Sequence, residues 1–150
     1  MALSRSELLT HLRKRRYCVV ASVAPGGAPR AALVGFAVSD ELELVFDTLG
    51  NTHKAANLRH DPRVAVVIGL GEDECTVQLE GVADEPTGAD QERLRAVYFA
   101  AFPDGVDRLE WPGITHFRIR PHSARYSDFA APGGPRLEEL RLDAIGDREP

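Results

Sequence analysis

Apolar and polar positions change period several times along the chain, and each change marks an element. Leu3-Ser4-Arg5-Ser6-Glu7-Leu8 predicts a helix start, because Ser4 and Glu7 have the spacing of a capping box and Leu3 can staple onto Leu8. This helix is expected to run to about Arg15. Tyr17 to Ala24 is rich in β-branched residues, Pro25-Gly26-Gly27 interrupts it, and Arg30 to Val38 resumes it, which is hairpin punctuation between two strands. From Glu41 to Thr48, Leu42, Leu44 and Phe46 alternate with Glu43, Val45 and Asp47, the pattern of a half-buried strand. Asn51 or Thr52 can cap a short helix through Leu58, and Asp61-Pro62 stops it, because a residue before proline is driven out of the helical region.

Arg63 to Leu70 predicts a strongly apolar strand, and Gly71-Glu72-Asp73-Glu74 a polar turn. In the strand from Cys75 to Ala83, Val77 and Leu79 take one face and Thr76, Gln78 and Glu80 the other. Thr87 with Asp90 resembles a capping box opening a helix to about Phe102, whose Leu94, Val97 and Tyr98 form a core-facing stripe. After a loop from Pro103 to Gly113, Ile114 to Ser123 reads as a last long strand, and from Ala130 the chain becomes a weakly patterned tail. Hairpin-linked strands with a few short helices predict a mainly β fold: a largely antiparallel sheet closed as a barrel with helices at its ends.

Length and composition narrow the function classes. At 150 residues the chain is the size of one domain, expected to span it from end to end. A 43% hydrophobic and 27% charged composition is that of a soluble globular protein, and no apolar run approaches the ~20 residues a membrane-spanning helix needs. A net charge of −5 argues against a general nucleic-acid binder. Arg13-Lys14-Arg15-Arg16 reads as the solvated last turn of the first helix, where cations suit the dipole, with a nucleic-acid or anionic-lipid patch as the alternative. The apolar stretch after it is short for a signal peptide, so a cytoplasmic protein is expected. Cys18 and Cys75 stand far apart in strand-like contexts and are expected to be buried, reduced thiols.

The most informative segment runs from Phe46 to Val64: strand, polar loop, helix start, second strand. A helix start offers free N–H groups and a positive dipole end, and Thr48, Thr52 and Lys54 add hydroxyl and ammonium donors, so the segment suits an anion. A capped helix with a solvated lysine is the plainer reading of the same residues. His116 with His122 and His53 with His60 lack metal-ligand spacing, so no metal site is expected, and no nucleophile elbow or dinucleotide fingerprint occurs.

Thr48, Thr52-His53-Lys54 and Asp61-Pro62-Arg63-Val64 resemble the loop, lysine and strand start of the pyridoxamine 5′-phosphate oxidase-like flavoproteins. Gly27-Ala28-Pro29-Arg30 followed by Ala31 to Val34 is similar to that superfamily's second strand, and Thr76 to Gly81 to its strand ending in Glu-Gly. The similarity covers about Tyr17 to Phe129. It implies a split β-barrel of antiparallel, Greek-key-like strands that binds FMN between the subunits of a homodimer and acts as an oxidoreductase on a small molecule. Some branches hold a deazaflavin coenzyme or haem instead, or carry the cofactor without turnover.

Position by position, the resemblance implies that Lys54 contacts the FMN phosphate, that His53 and Thr52 approach it, and that Arg30 lies near it. It places Ala31, Ala32, Leu33, Val34 and Gly35 beside the flavin ring and Asp47 and Thr48 in the adjoining loop. Thr76 stands where the true oxidases carry a glutamine reaching across the dimer, and Gln78, on the same strand face, is a substitute for it. Those oxidases continue into a longer C-terminal region rich in Trp and Arg, so a general member of the superfamily is expected rather than the vitamin-pathway enzyme. A flavin brings its own redox chemistry, and no catalytic residue is assigned. Tyr126, Trp111 and Arg125 are candidates for the substrate side, and the tail for packing at the dimer seam.

Overall fold

The computed structural model describes residues 2–69 and 73–142. The first helix, α1 (Arg5–Leu12), opens on Ser4, whose Oγ accepts a hydrogen bond from Glu7 N at 3.0 Å, and Leu3 and Leu8 are both buried as a staple requires. It ends at Leu12 rather than near Arg15, because the amides of Lys14 and Arg15 bond the carbonyls three residues back in a turn. The basic run is therefore the exit from the helix. Arg13 pairs with Asp40, Arg15 with Asp73, and the Arg16 guanidinium lies 4.4 Å over the Phe102 ring.

Strands β1 (Tyr17–Val23) and β2 (Pro29–Gly35) form the expected hairpin. The strand expected over Arg30 to Val38 divides at buried Phe36, whose amide donates to Arg16 O at 3.0 Å. Beyond it β3 (Ala37–Val38) pairs with β4 (Leu44–Leu49) instead of β1. The strand expected from Glu41 thus starts at Leu44: Ser39 Oγ accepts from Glu43 N at 3.1 Å, Ser39 N donates to Glu43 O at 2.9 Å, and Leu42 sits in the turn at φ 60°.

Helix α2 (His53–His60) and strand β5 (Arg63–Ile68) follow; Leu70 and the turn residues Gly71 and Glu72 lie outside the described residues. Then come β6 (Cys75–Asp84) and α3 (Gly88–Ala101). Thr87 takes the N-cap position without a capping hydrogen bond from its side chain, and the expected box is absent because Arg93 and Arg118 claim the Asp90 carboxylate. Two 3₁₀ turns, Pro103–Gly105 and Asp107–Glu110, occupy the expected loop. Strand β7 (Ile114–Asp128) runs past Ser123 because β8 (Arg136–Arg141) pairs along its end, from Ser123↔Arg141 to Asp128↔Arg136. The tail expected to be weakly patterned supplies this strand; residues 143–150 lie outside the described ones.

The sheet order is β2-β1-β5-β6-β7-β4-β3, all pairs antiparallel, with β8 added to β7. Its first and last strands are consecutive in sequence, so the chain bend at Phe36 joins the two ends of the sheet and rolls it into a split barrel. The interior is filled by Val20, Phe46, Val66, Leu79, Phe117 and their neighbours, and a second apolar cluster of Ala37, Val45, Leu94, Tyr98 and Phe102 lies under α3. Each such large side chain contributes roughly 1.5–3 kcal/mol on burial. Because α3 covers Val45, β4 is buried on both faces rather than alternating. Cys18 is buried, its thiol pushed up to about 12 by desolvation, whereas Cys75 is only half-buried, with Sγ 3.2 Å from the Tyr126 hydroxyl.

The face of β2, β1 and β5 turned away from the core is apolar and uncovered: Leu33 is 61% exposed, and Tyr17 and Val67 are exposed beside it. Near the middle of β7 the register with β6 shifts, Glu80 pairing Ser123 and Gly81 pairing Pro121, so His122 is an extra residue in a bulge. A Cβ on Gly81 would lie 2.3 Å from Arg120 O, which only glycine permits.

Arg118 fixes α3 to the barrel. Its side chain is 5% exposed, and it donates to Asp84 at 2.9 and 2.6 Å, to Glu43 at 3.1 Å and to Asp90 at 3.3 Å. Glu43 also receives Arg93 at 2.7 and 3.1 Å and the Ser39 hydroxyl at 3.0 Å. Burial raises the Glu43 pKa, but the hydrogen bonds from Arg93, Ser39 and Arg118 outweigh it and hold the carboxyl below its ordinary value.

Two predictions follow from these contacts. Gly81→Ala should cost about 1–3 kcal/mol by forcing apart two paired strands, read as a lower urea midpoint at unchanged slope. A depressed carboxyl stabilises the fold above its unfolded value of 4.5 and loses that stabilisation as pH falls through the folded value. Glu43→Gln should accordingly be less stable than the parent at neutral pH, and urea melts in increasingly acid buffer should show the gap narrowing below pH 4.5; a gap independent of pH would exclude this role.

Candidate functional site

The turn between β4 and α2 is held on every side. Thr52 caps the helix: its Oγ1 accepts from Ala55 N at 3.3 Å, donates to Leu49 O at 3.0 Å and lies 3.2 Å from Thr48 Oγ1. Gly50 N donates to Gly113 O at 2.7 Å, and Arg59 Nη1 donates to Gly50 O at 2.7 Å. Arg59 also forks onto Glu85 at 2.5 and 2.9 Å, and Thr115 donates to the same carboxylate at 2.6 Å. The Arg59 hydrogen bonds in particular hold Glu85 below the usual carboxylate range. Buried Asn57 donates to Ser22 Oγ at 3.1 Å, tying α2 to β1.

At the far end of α2, Asp61 accepts from Arg63 N at 3.1 Å and from the Arg63 guanidinium at 3.0 and 2.6 Å. Those side-chain bonds push the Asp61 carboxyl down to about 2. The Asp61-Pro62-Arg63 stretch therefore ends the helix and starts β5; it lies at the opposite end of α2 from the capped turn.

Against that turn lies a cleft of about 300 Å³ lined by Val20, Ser22, Arg30, Ala31, Ala32, Thr52, His53 and Lys54. Lys54 is half-buried and desolvation pushes it below the usual lysine range, with the charge of Asp47 opposing. Among the described residues, Lys54 and Arg30 have neither an ion-pair nor a hydrogen-bond partner, whereas Arg59, Arg63, Arg93, Arg108 and Arg118 are all paired. The first-turn amides of His53 and Lys54 point out of the helix start without an acceptor in it. Two free cations and two amides are a donor set that fits a phosphate group.

The structure thus brings together Arg30, Ala31, Ala32, Thr52, His53 and Lys54. Thr48 is buried directly behind Thr52. The rest of the β2 set splits: Leu33 is on the uncovered outer face, Val34 in the core, and Gly35 against Phe102, whose ring a Cβ would meet at 2.8 Å. Asp47 turns its carboxylate to Tyr98 and Arg108. Thr76 and Gln78 lie on β6, separated from β1 by β5, so they do not line this cleft within one chain. Of the substrate-side candidates, Trp111 and Arg125 are exposed and Tyr126 is buried beside Cys75.

Sequence reasoning missed Val20 and Ser22. Ser22 continues the inward series Cys18, Val20, and a hydroxyl at an inward position is itself the signal that a polar partner faces it. The contact of Asp47 with Arg108 joins residues 61 apart and leaves no local trace.

The family model described as pyridoxamine 5′-phosphate oxidase matches residues 5–128, from the first residue of α1 to the last of β7. A pyridoxine/pyridoxamine 5′-phosphate oxidase from Rubrobacter xylanophilus is 34% identical over 93 residues, which are 62% of this chain and 41% of that enzyme; the chain thus matches less than half of that relative's length. Among solved structures, a haem binding protein from Mycobacterium smegmatis superposes with a TM-score of 0.80 at 20% identity, covering 98% of this chain and 62% of that one. A pyridoxamine 5′-phosphate oxidase-related, FMN-binding protein from Nostoc punctiforme superposes with a TM-score of 0.70 at 15% identity, covering 94% and 91%. At these identities the likeness to the two structures is one of fold. With its helix start, its curled sheet and its last long strand all inside the matched span, the chain belongs to the pyridoxamine 5′-phosphate oxidase family.

Proposed function

We propose that this protein is an FMN-binding flavoprotein that acts as an oxidoreductase on a small molecule, with the cofactor phosphate held by Lys54, Arg30 and the first amides of α2, at the helix start that Thr52 caps. The observation that carries this reading is the pair of unpartnered cations, Arg30 and Lys54, at one cleft in a chain whose other site-flanking arginines are paired. A partly desolvated ammonium bonds an anion more strongly than one in water, so Lys54 supplies affinity and the forked Arg30 orientation. The pinned turn from Leu49 to Thr52 keeps these donors in place before the ligand arrives, which lowers the cost of binding. When bound, the flavin supplies the redox chemistry itself.

The cofactor's remaining surface is assigned to a twofold dimer. By strand register Leu33, Val19, Val67 and Gln78 form one row across the outer face, apolar on β2, β1 and β5 and polar on β6. Such a face can meet its own copy in an isologous interface, and Thr76 and Gln78 then reach the partner's cofactor. A second reading, a haem carrier, is favoured by the fold likeness to the haem binding protein of Mycobacterium smegmatis. The absorption spectrum of the purified protein separates these readings, since flavin, deazaflavin and haem bands differ.

Lys54→Ala should weaken FMN binding by about 1.5–3 kcal/mol with the fold intact, measured by quenching of flavin fluorescence. Equal affinity in parent and variant would remove Lys54 from the site. In sedimentation the parent should be a dimer that loses flavin on dilution in step with dissociation, and a monomer retaining stoichiometric flavin would overturn the shared site.

A further inference from the structure

Ser22 is only 4% exposed, yet it lines the cleft together with Val20, Arg30 and Lys54. In the β1–β2 ladder Ser22 pairs with Arg30 and Val20 with Ala32, and directly paired residues of antiparallel strands project to the same face. The Ser22 hydroxyl and the Arg30 side chain therefore leave the hairpin on one side, the side of the cleft. From α2, which packs against β1 and β2, Lys54 and Asn57 are three residues apart and share a helix face. Asn57 is buried, and its Nδ2 donates to Ser22 Oγ at 3.1 Å. One hydrogen bond thus ties the helix that carries Lys54 to the hairpin that carries Arg30.

A serine hydroxyl has one hydrogen to give and two lone pairs that accept. The Asn57 amide takes a lone pair of Ser22, and among the described residues no acceptor receives the hydrogen. Other hydroxyls near the site differ: Thr52 donates to Leu49 O at 3.0 Å, and Thr115 donates to Glu85 at 2.6 Å. A buried donor left without an acceptor is costly, and the cleft is the side from which an acceptor reaches this one. By donating to Oγ, Asn57 also polarises the O–H bond and strengthens the hydrogen bond that Ser22 can give.

We infer that Ser22 is a ligand-binding residue of the cleft: its hydroxyl donates to an oxygen of the anionic group that Arg30 and Lys54 attract, with Asn57 holding Ser22 Oγ as the acceptor of its own amide. The inference rests on the phosphate-binding reading of the cleft given above. It adds a neutral, directional donor from β1 to the two cations and the helix amides, so the anion is bound from three elements, β1, β2 and α2, rather than from two.

Riboflavin is FMN without the phosphate, so the two ligands separate a phosphate contact from a structural role. Ser22→Ala should weaken FMN binding on the order of tenfold and leave riboflavin binding within about twofold of the parent. Equal weakening of both ligands would show that Ser22 acts by packing α2 on β1, and would overturn the inference, as would parental FMN affinity in the variant. Should Ser22→Ala not fold, Ser22→Cys carries the same comparison, since it keeps the size and offers only a weak donor. Where either flavin fails to bind the parent, inorganic phosphate takes over the comparison, and if FMN is the one that fails the proposed function falls independently. At ionic strength matched with chloride, phosphate should then raise the melting temperature of the parent several-fold more than that of Ser22→Ala. Equal shifts in the two proteins, absent shifts included, would overturn the inference.

Discussion

The seating of α3 on the barrel depends on a guanidinium that has been taken out of water. Arg118 sits between the sheet and α3, and three carboxylates from β6, the β3–β4 connection and α3 close on it. A buried cation is tolerated only when its donors are satisfied, so the three acidic residues must arrive together and in one geometry. That requirement fixes the roll of α3 on the sheet. Once α3 is set, Tyr98 stands over Asp47, Phe102 stacks on Tyr98 and closes against Gly35, and the 3₁₀ turns deliver Arg108 to β4.

The site is assembled on the other side of the same strand. β4 presents Thr48 toward Thr52 and Asp47 toward Tyr98, so successive residues serve the cleft and the α3 interface. Alternation along a strand makes this division automatic, and it brings two electrostatic environments within one residue of each other. The structure keeps them apart with paired charges: Arg59 with Glu85 below the turn and Arg108 with Asp47 behind it. Ion pairs of this kind add little to stability where they are exposed, but they decide which charges remain available to a ligand.

Local chemistry was legible in the sequence, and distant chemistry was not. Ser4 with Glu7, Thr52 before α2, and the alternation of β6 follow from rules that act over a few residues, and the structure obeys them. The β2–β3 division was invisible because Phe36 sits in an apolar run that reads as one strand; the bend comes from which partners the two halves find. The Thr87–Asp90 box failed for a related reason, since Asp90 is worth more to Arg93 and Arg118 than to its own helix end. The tail was read as weakly patterned because Arg136–Arg141 is polar throughout apart from its leucines, and an edge strand needs only one neighbour. At the cleft, Thr52 and Lys54 stood out by residue type and order and Arg30 through the resemblance, and the three line one cleft, while the engagement of Asp47 depended on a residue far away in the chain.

The bend at Phe36 also sets an order of assembly. Because the sheet's two ends are one continuous piece of chain, the hairpins on either side of Phe36 are local and need only short loops to close. The barrel cannot close on them until β7 arrives, since β7 alone joins β4 to β6: Phe46 pairs with Phe117, and Leu79 with Ala124. On a ribosome, the whole apolar lining of β1 to β6 therefore emerges before the strand that encloses it, and the nascent chain carries an open, sticky half-cylinder until β7 has emerged in turn.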